Sequence, residues 1–125
     1  MSYINDRITL EEVSKIVYCI DFLYPKFELK PNELTQLIKK IKELIKIIDS
    51  FSQKDGSYRS SSIFSPLEET RYALFSLNLL EDLIQDMRYY YDVKDFKPIS
   101  KIYEHVKDIK KTYNFIIEAH SKNNY

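Results

Sequence analysis

The chain contains 125 residues, with 19 basic and 19 acidic side chains and a formal net charge of zero. This length predicts one domain that buries a core without disulfides or a structural metal, and the charge balance argues against a dedicated nucleic-acid binder. The single glycine argues against an all-β fold, the single cysteine excludes an internal disulfide, and the lack of a long apolar run predicts a cytoplasmic protein without a membrane span.

The first predicted helix covers residues 9–24. Thr9 and Glu12 form a capping box, in which a side-chain acceptor at the N-cap is followed by a carboxylate three residues later. Apolar residues then recur at spacings of three and four, and Pro25 ends the pattern. Cys19 falls close to this apolar stripe and has no histidine near it in sequence, so we expect a buried structural thiol rather than a nucleophile.

The second predicted helix, residues 31–51, carries the most regular pattern in the chain. Pro31 suits the first helical turn, where a missing N–H costs nothing. Apolar residues then form one stripe, while lysines and glutamates take the other faces. The stripe consists of Leu34, Leu37, Ile38, Ile41, Leu44, Ile45, Ile48 and Phe51.

A serine-rich link, residues 52–64, follows the second helix and holds the only glycine. Asp55 and Gly56 are a turn signal, because glycine accepts positive φ without steric cost. The short serine side chains do not order a backbone strongly. The larger side chains that can pin the link onto the helices are Tyr58, Ile63 and Phe64. We interpret the link as a mobile connection rather than an active-site loop.

The third and fourth predicted helices follow this link. The third, residues 65–91, begins with Ser65 at the N-cap and Pro66 at the first helical position, and Glu68 completes a capping box. The fourth covers residues 98–120, begins at a proline and has an apolar stripe along one side.

The arrangement of the helices follows from the lengths of the links. Short links between long helices favour antiparallel neighbours, and no strand pattern, internal repeat or interdomain linker interrupts the four segments. We therefore predict an all-α single domain over residues 1–125, arranged as an antiparallel four-helix bundle. Stacked αα-hairpins are the alternative arrangement.

The link and the third helix carry a motif, QKDGSY followed by SPLEETRYAL. Its residues are Gln53, Asp55, Gly56, Tyr58, Leu67, Glu68, Thr70, Tyr72, Ala73 and Leu74. This stretch, residues 45–80, resembles one unit of the α/α-toroid repeats of protein prenyltransferases and terpene cyclases. The resemblance implies a turn that links two paired helices, with the small alanine allowing them to pack closely.

The resemblance carries no catalytic residue onto this chain. Ser57 stands where the family pattern has a second glycine, and the aspartate-rich motif of the cyclases is absent. The zinc ligands of the prenyltransferases find no counterpart, since Cys19 lacks suitable neighbours. The resemblance does allow an apolar pocket between helices, so a small-molecule-binding helical protein is one alternative function.

Candidate catalytic and metal-binding groups are few. His105 and His120 lie fifteen residues apart on one predicted helix, which is about 22 Å and too far to share a metal. The helix dipole accounts for the paired carboxylates at helix starts. We therefore predict no catalytic residue, no metal site and no cofactor, and a protein that is not an enzyme.

Aromatic side chains at the end of the third predicted helix form the candidate interface. They are Tyr89, Tyr90, Tyr91 and Phe96. Three consecutive helical residues span about 200°, so at least one of the three tyrosines must reach the surface. Because tyrosine is enriched in interface cores, we predict a protein that acts through protein–protein contact, as a homodimer or with another protein partner.

Lysines offer a second candidate surface. This basic patch consists of Lys39, Lys40, Lys42, Lys107, Lys110 and Lys111. A basic groove with aromatic side chains can hold single-stranded nucleic acid. Interleaved glutamates and the zero net charge weaken this interpretation, so weak nucleic-acid binding is the other alternative function.

Overall fold

The chain folds into helices joined by one ordered turn. The computed structural model describes residues 8–91, 106 and 108–121. It contains four α-helices, α1 (Leu10–Leu23), α2 (Pro31–Ser50), α3 (Pro66–Tyr91) and α4 (Ile109–Ser121), and a 3₁₀ helix (Tyr24–Lys26) follows α1. These residues form no strand, and one isolated antiparallel bridge joins Ser52 to Tyr58. The predicted all-α class is confirmed.

The starts of α1 and α3 follow their predicted capping residues. At α1 the Glu12 N–H donates to the Thr9 hydroxyl over 3.2 Å. At α3 the Glu68 N–H donates to the Ser65 hydroxyl over 3.2 Å. The predicted N-caps of these two helices are therefore confirmed, because each hydroxyl satisfies an N–H that has no partner within the helix.

The fourth helix begins later than predicted. Val106 is not helical, so a continuous helix over residues 98–120 is wrong at that point, while the predicted start itself lies outside the described residues. The α4 helix begins at Ile109 because Asp108 caps it. The Asp108 carboxylate accepts a hydrogen bond of 3.1 Å from the Lys111 N–H, and the Asp108 carbonyl accepts one of 3.1 Å from the Thr112 N–H.

The α1 and α3 helices pack side by side and run in the same direction. The Leu10 N–H at the start of α1 donates to Ser60, whose hydroxyl is bound by Glu69 in the first turns of α3. At the other end, the ring of Tyr24 lies 6.4 Å from the ring of Tyr91, measured between centroids. The two helix starts are thus neighbours, and so are the two helix ends.

The α2 helix runs in the opposite direction to α3. Just before α2, the Leu29 N–H donates to the Tyr91 hydroxyl over 3.0 Å, next to the end of α3. Just after α2, the Tyr58 N–H donates to the Thr70 hydroxyl over 3.0 Å, next to the start of α3. The first three helices therefore alternate in direction along the chain.

The core is one hydrophobic cluster between α1, α2 and α3. Its buried side chains are Leu10, Val13, Val17, Tyr24, Ile38, Ile41, Leu44, Ile45, Ile48, Tyr58, Ala73, Leu77, Leu80, Leu83, Ile84 and Met87. Each fully buried large side chain contributes about 1.5–3 kcal/mol relative to exposure. The apolar stripe of α4 lies outside this cluster, and Ile109, Tyr113 and Ile117 are about half exposed.

Candidate functional site

A buried carboxylate holds the turn between α2 and α3. Glu69 is fully buried, and its Oε1 accepts hydrogen bonds of 2.9 Å from the N–H groups of Ser60 and Ser61. Its Oε2 accepts a hydrogen bond from the Ser60 hydroxyl. That hydroxyl accepts in turn from the Leu10 N–H over 2.7 Å. Glu69 is therefore a buried hydrogen-bond acceptor and not an exposed residue that only stabilises the helix dipole. The prediction that the link over residues 52–64 is a mobile connection is wrong, because these hydrogen bonds order the link.

The same turn buries an aromatic side chain, Tyr58. Its ring is 1% exposed, and its hydroxyl has no hydrogen-bond partner among the described residues. Burial, together with the negative charge of Asp49, raises the pKa of Tyr58 to about 12. Tyr58 thus pins the turn as predicted, whereas Ile63 is exposed and does not.

The tip of the turn presses directly against α4. Gly56 has a φ of +90°, and the Thr112 hydroxyl donates a 2.7 Å hydrogen bond to its carbonyl. The Asp55 carboxylate shapes the tip by accepting hydrogen bonds from the Ser57 N–H over 2.9 Å and the Ser57 hydroxyl over 2.6 Å. Burial alone would raise the pKa of Asp55, but these hydrogen bonds and the Arg59 charge outweigh burial and lower it.

A cleft with both charged and apolar walls lies where this turn meets α4. Its volume is about 450 Å³. It is lined by Lys54, Asp55, Arg59, Pro66, Lys111, Asn114, Phe115, Glu118 and Ala119. A smaller cleft of about 250 Å³ adjoins it and shares Lys54 and Lys111. Both clefts are therefore bordered by a lysine of the turn and a lysine of α4.

The predicted aromatic interface divides into two exposed tyrosines and one inward tyrosine. Tyr89 and Tyr90 are 82% and 70% exposed, and their rings meet edge to face with centroids 4.9 Å apart. Tyr91 instead contacts Tyr24 and accepts the hydrogen bond from Leu29. Successive residues differ by about 100° around a helix, so the three side chains separate.

Other exposed apolar side chains lie at the same end of the molecule. Phe22, Leu23 and Phe27 are each 54% exposed, and they flank Tyr24, which contacts Tyr91. The Lys26 ammonium lies 4.7 Å from the centroid of the Phe22 ring. We call this set, Phe22, Leu23, Phe27, Tyr89 and Tyr90, the aromatic end. Phe96, the fourth predicted interface residue, lies outside the described residues.

The predicted basic patch is spread over two helices. Lys39, Lys40 and Lys42 are exposed on α2, where Lys40 pairs with Glu43 over 3.3 Å. Lys110 and Lys111 are exposed on α4, and Lys107 lies outside the described residues. The clefts that contain Lys111 bring it together with Lys54 and Arg59 of the turn, not with the lysines of α2.

Cys19 is exposed, so the prediction of a buried thiol is wrong. The α1 helix buries only a narrow stripe, and Cys19 lies outside it, on a shallow groove of about 440 Å³ between α1 and α3. The groove walls are largely aromatic. They include Tyr18, Tyr72 and Phe75.

The described part of the chain holds no cluster of three or more metal-ligating side chains, and none of its helices is long and apolar enough to span a membrane. His120 is exposed, and His105 lies outside the described residues.

Two carboxylates of α3 act on the pKa of a carboxyl group on α1. Partial burial of Asp21, together with the charges of Asp82 and Asp86, raises the pKa of Asp21 above its ordinary value of 3.8. Burial and a hydrogen bond to Asp86 also raise the pKa of the Tyr24 hydroxyl. A raised carboxyl pKa favours the folded state below pH 3.8, and this stabilisation is lost as the pH rises through the raised value.

We therefore expect Asp21→Asn to raise the melting temperature at pH 7 by about 2 °C, which corresponds to about 0.5 kcal/mol of relieved repulsion and burial cost. The gain should vanish below about pH 4, where the wild-type carboxyl is protonated in both states. Thermal unfolding at several pH values measures this gain in melting temperature. The matched control is Glu28→Gln, which changes an exposed carboxylate. A gain of equal size at acidic and neutral pH would contradict the charge repulsion.

Comparison with known proteins adds no relative. No protein-family model, curated protein or solved structure matches this chain.

Proposed function

We propose that the protein acts through protein–protein contact, by self-association through the aromatic end. The observation that carries this proposal is the pair Tyr89 and Tyr90, two adjacent and largely exposed rings that meet edge to face at the end of the longest helix in the described part of the chain. Large exposed apolar side chains grouped at one end of a molecule are typical of interaction sites. Tyrosine suits such sites because it offers a large contact area with few rotatable bonds.

A second copy of the chain is the partner that this surface fits best. The formal net charge is zero, so two copies do not repel each other at long range. Tyr89 and Tyr90 stand at the end of a helix that Tyr91 anchors through its contacts with Tyr24 and Leu29. An anchored helix end loses less conformational entropy than a free segment when a partner covers it.

The predicted antiparallel four-helix bundle is part of this proposal. The alternating directions of α1, α2 and α3 support it. The α4 helix does not continue this alternation, because it begins beside the same turn at which α3 begins, whereas an antiparallel α4 would end there.

The double variant Tyr89→Ser/Tyr90→Ser should weaken self-association by about 1,000-fold, taking about 1 kcal/mol for each of the four tyrosines that the two copies lose from the interface. Native mass spectrometry over a concentration series measures the effect, since the dimer has twice the 15.0 kDa mass of the chain. Tyr91 is kept in this test because its loss would disturb the fold.

The matched control is Tyr18→Ser/Tyr113→Ser, which removes two exposed tyrosines outside the aromatic end. Equal dissociation of both double variants, or a wild-type chain that stays monomeric throughout the series, would contradict the proposal.

A small-molecule-binding function is the second candidate, and the groove between α1 and α3 favours it. Its aromatic walls and its volume of about 440 Å³ suit an apolar ligand of modest size. The same mass spectra distinguish the two functions, because a retained ligand adds a few hundred daltons to each chain rather than doubling its mass.

A further inference from the structure

The cleft between the turn and α4 gathers three cationic side chains from distant parts of the sequence. Lys54 and Arg59 come from the turn, and Lys111 comes from α4. The hydrogen bond from Thr112 to the Gly56 carbonyl holds these two segments together, so the cleft walls are fixed relative to each other. The fold therefore brings the backbone positions of the three exposed cations to one cleft.

Among the described residues, no salt bridge includes Lys54, Arg59 or Lys111, although the charge of Arg59 lowers the pKa of Asp55. Two carboxylates, Asp55 and Glu118, also line the cleft, so the cations outnumber the acids. The Asp55 carboxylate already accepts two hydrogen bonds from Ser57.

We propose that this cleft binds a phosphate-bearing small molecule. Ammonium and guanidinium groups form strong charge-assisted hydrogen bonds to phosphate oxygens, which gives Lys54, Arg59 and Lys111 a common partner. The remaining wall offers the amide of Asn114 and the ring of Phe115, which suit an uncharged portion of the ligand. The volume of about 450 Å³ exceeds that of a lone phosphate and lies within the range of pockets for small organic ligands.

Titration calorimetry with sodium pyrophosphate and with ATP, each without metal, tests this proposal on the full chain. We expect both to bind, with an affinity that falls as salt rises. The double variant Lys54→Gln/Lys111→Gln should lower the affinity for each probe at least about tenfold, because it loses two charge-assisted contacts to the phosphate groups. The control Lys39→Gln/Lys42→Gln removes the same charge from α2 and should leave both affinities unchanged.

The two probes show which part of a ligand the cleft recognises. Equal affinities for pyrophosphate and ATP mean that the cleft recognises only the phosphate groups. Tighter binding of ATP means that Asn114 and Phe115 also contact the nucleoside portion. The cleft proposal is overturned if neither probe binds, or if the α2 control weakens binding as much as the cleft variant does. It also fails if single-stranded oligonucleotide binds and both double variants weaken that binding equally, because the ligand would then follow a diffuse basic surface.

This test is independent of self-association. The Tyr89→Ser/Tyr90→Ser variant should bind both probes as the wild type does. Thermal unfolding of every variant verifies that a lost affinity does not reflect a lost fold.

Discussion

Replacing Glu69 by alanine should lower the free energy of unfolding by about 4 kcal/mol. The variant leaves the partly buried N–H groups of Ser60 and Ser61 without their acceptor, and it frees the Ser60 hydroxyl that binds Leu10. Because domains are typically stable by about 5–15 kcal/mol, this loss is a large fraction of the total. Urea unfolding at equilibrium measures the change.

Two further variants separate hydrogen bonding from charge. Glu69→Gln keeps a carbonyl oxygen that can accept from both N–H groups, so its loss should be only about 1 kcal/mol. Glu68→Ala removes the adjacent carboxylate, which pairs with Arg71 at the surface, and should cost less than about 1 kcal/mol. If Glu69→Ala costs no more than Glu68→Ala, the buried carboxylate does not hold the turn.

Replacing Gly56 by alanine should cost about 3 kcal/mol, the second largest effect that we expect. An added Cβ would lie 2.5 Å from the Lys111 carbonyl carbon and 2.5 Å from the Thr112 nitrogen. Both are backbone atoms and cannot rotate away as a side chain would. The φ of +90° adds backbone strain for any residue with a Cβ.

The position of the clash predicts where the damage appears. To relieve it, α4 must move away from the turn, which breaks the hydrogen bond from Thr112 to Gly56. Hydrogen exchange of α4 amides should therefore accelerate more than exchange of α2 amides. Ser62→Ala, an exposed change in the same turn, should alter neither the stability nor the exchange. A Gly56→Ala variant as stable as Ser62→Ala would show that the turn and α4 do not press together.

Local signals in the sequence sufficed to predict α1, α2 and α3. Their starts are marked by side chains that act within one turn, as the hydroxyls of Thr9 and Ser65 do. The apolar stripe of α2 is also buried largely as predicted, from Ile38 to Ile48. Capping and periodicity depend on neighbouring residues, which explains why a single sequence reveals them.

The function of Glu69 could not be predicted in this way. An acidic residue in the first turns of a helix usually lies at the surface and interacts favourably with the helix dipole. Glu69 is instead buried and hydrogen-bonded, because Ser60 and Ser61 fold back over it. The one signal in the sequence is a run of serines eight to nine residues before such an acid. It becomes meaningful only when the path of the turn is known.

The exposure of Cys19 has a similar cause. An apolar stripe predicts which side of a helix is buried, but the number of neighbouring helices determines how wide the buried stripe becomes. The buried residues of α1 are Leu10, Val13, Ser14 and Val17. Ile16 and Leu23 continue the apolar spacing of α1 and remain exposed together with Cys19.

The turn also determines the order in which the chain can assemble. Its contacts with α3 join residues close in sequence, such as Ser60 and Glu69, nine residues apart. Its contacts with the chain ends span 50 residues to Leu10 and 56 residues to Thr112. Closing a longer segment costs more entropy, so we expect the α2–turn–α3 hairpin to fold first and the two outer helices to dock onto it afterwards. Folding of this chain is thus expected to proceed from its middle outward.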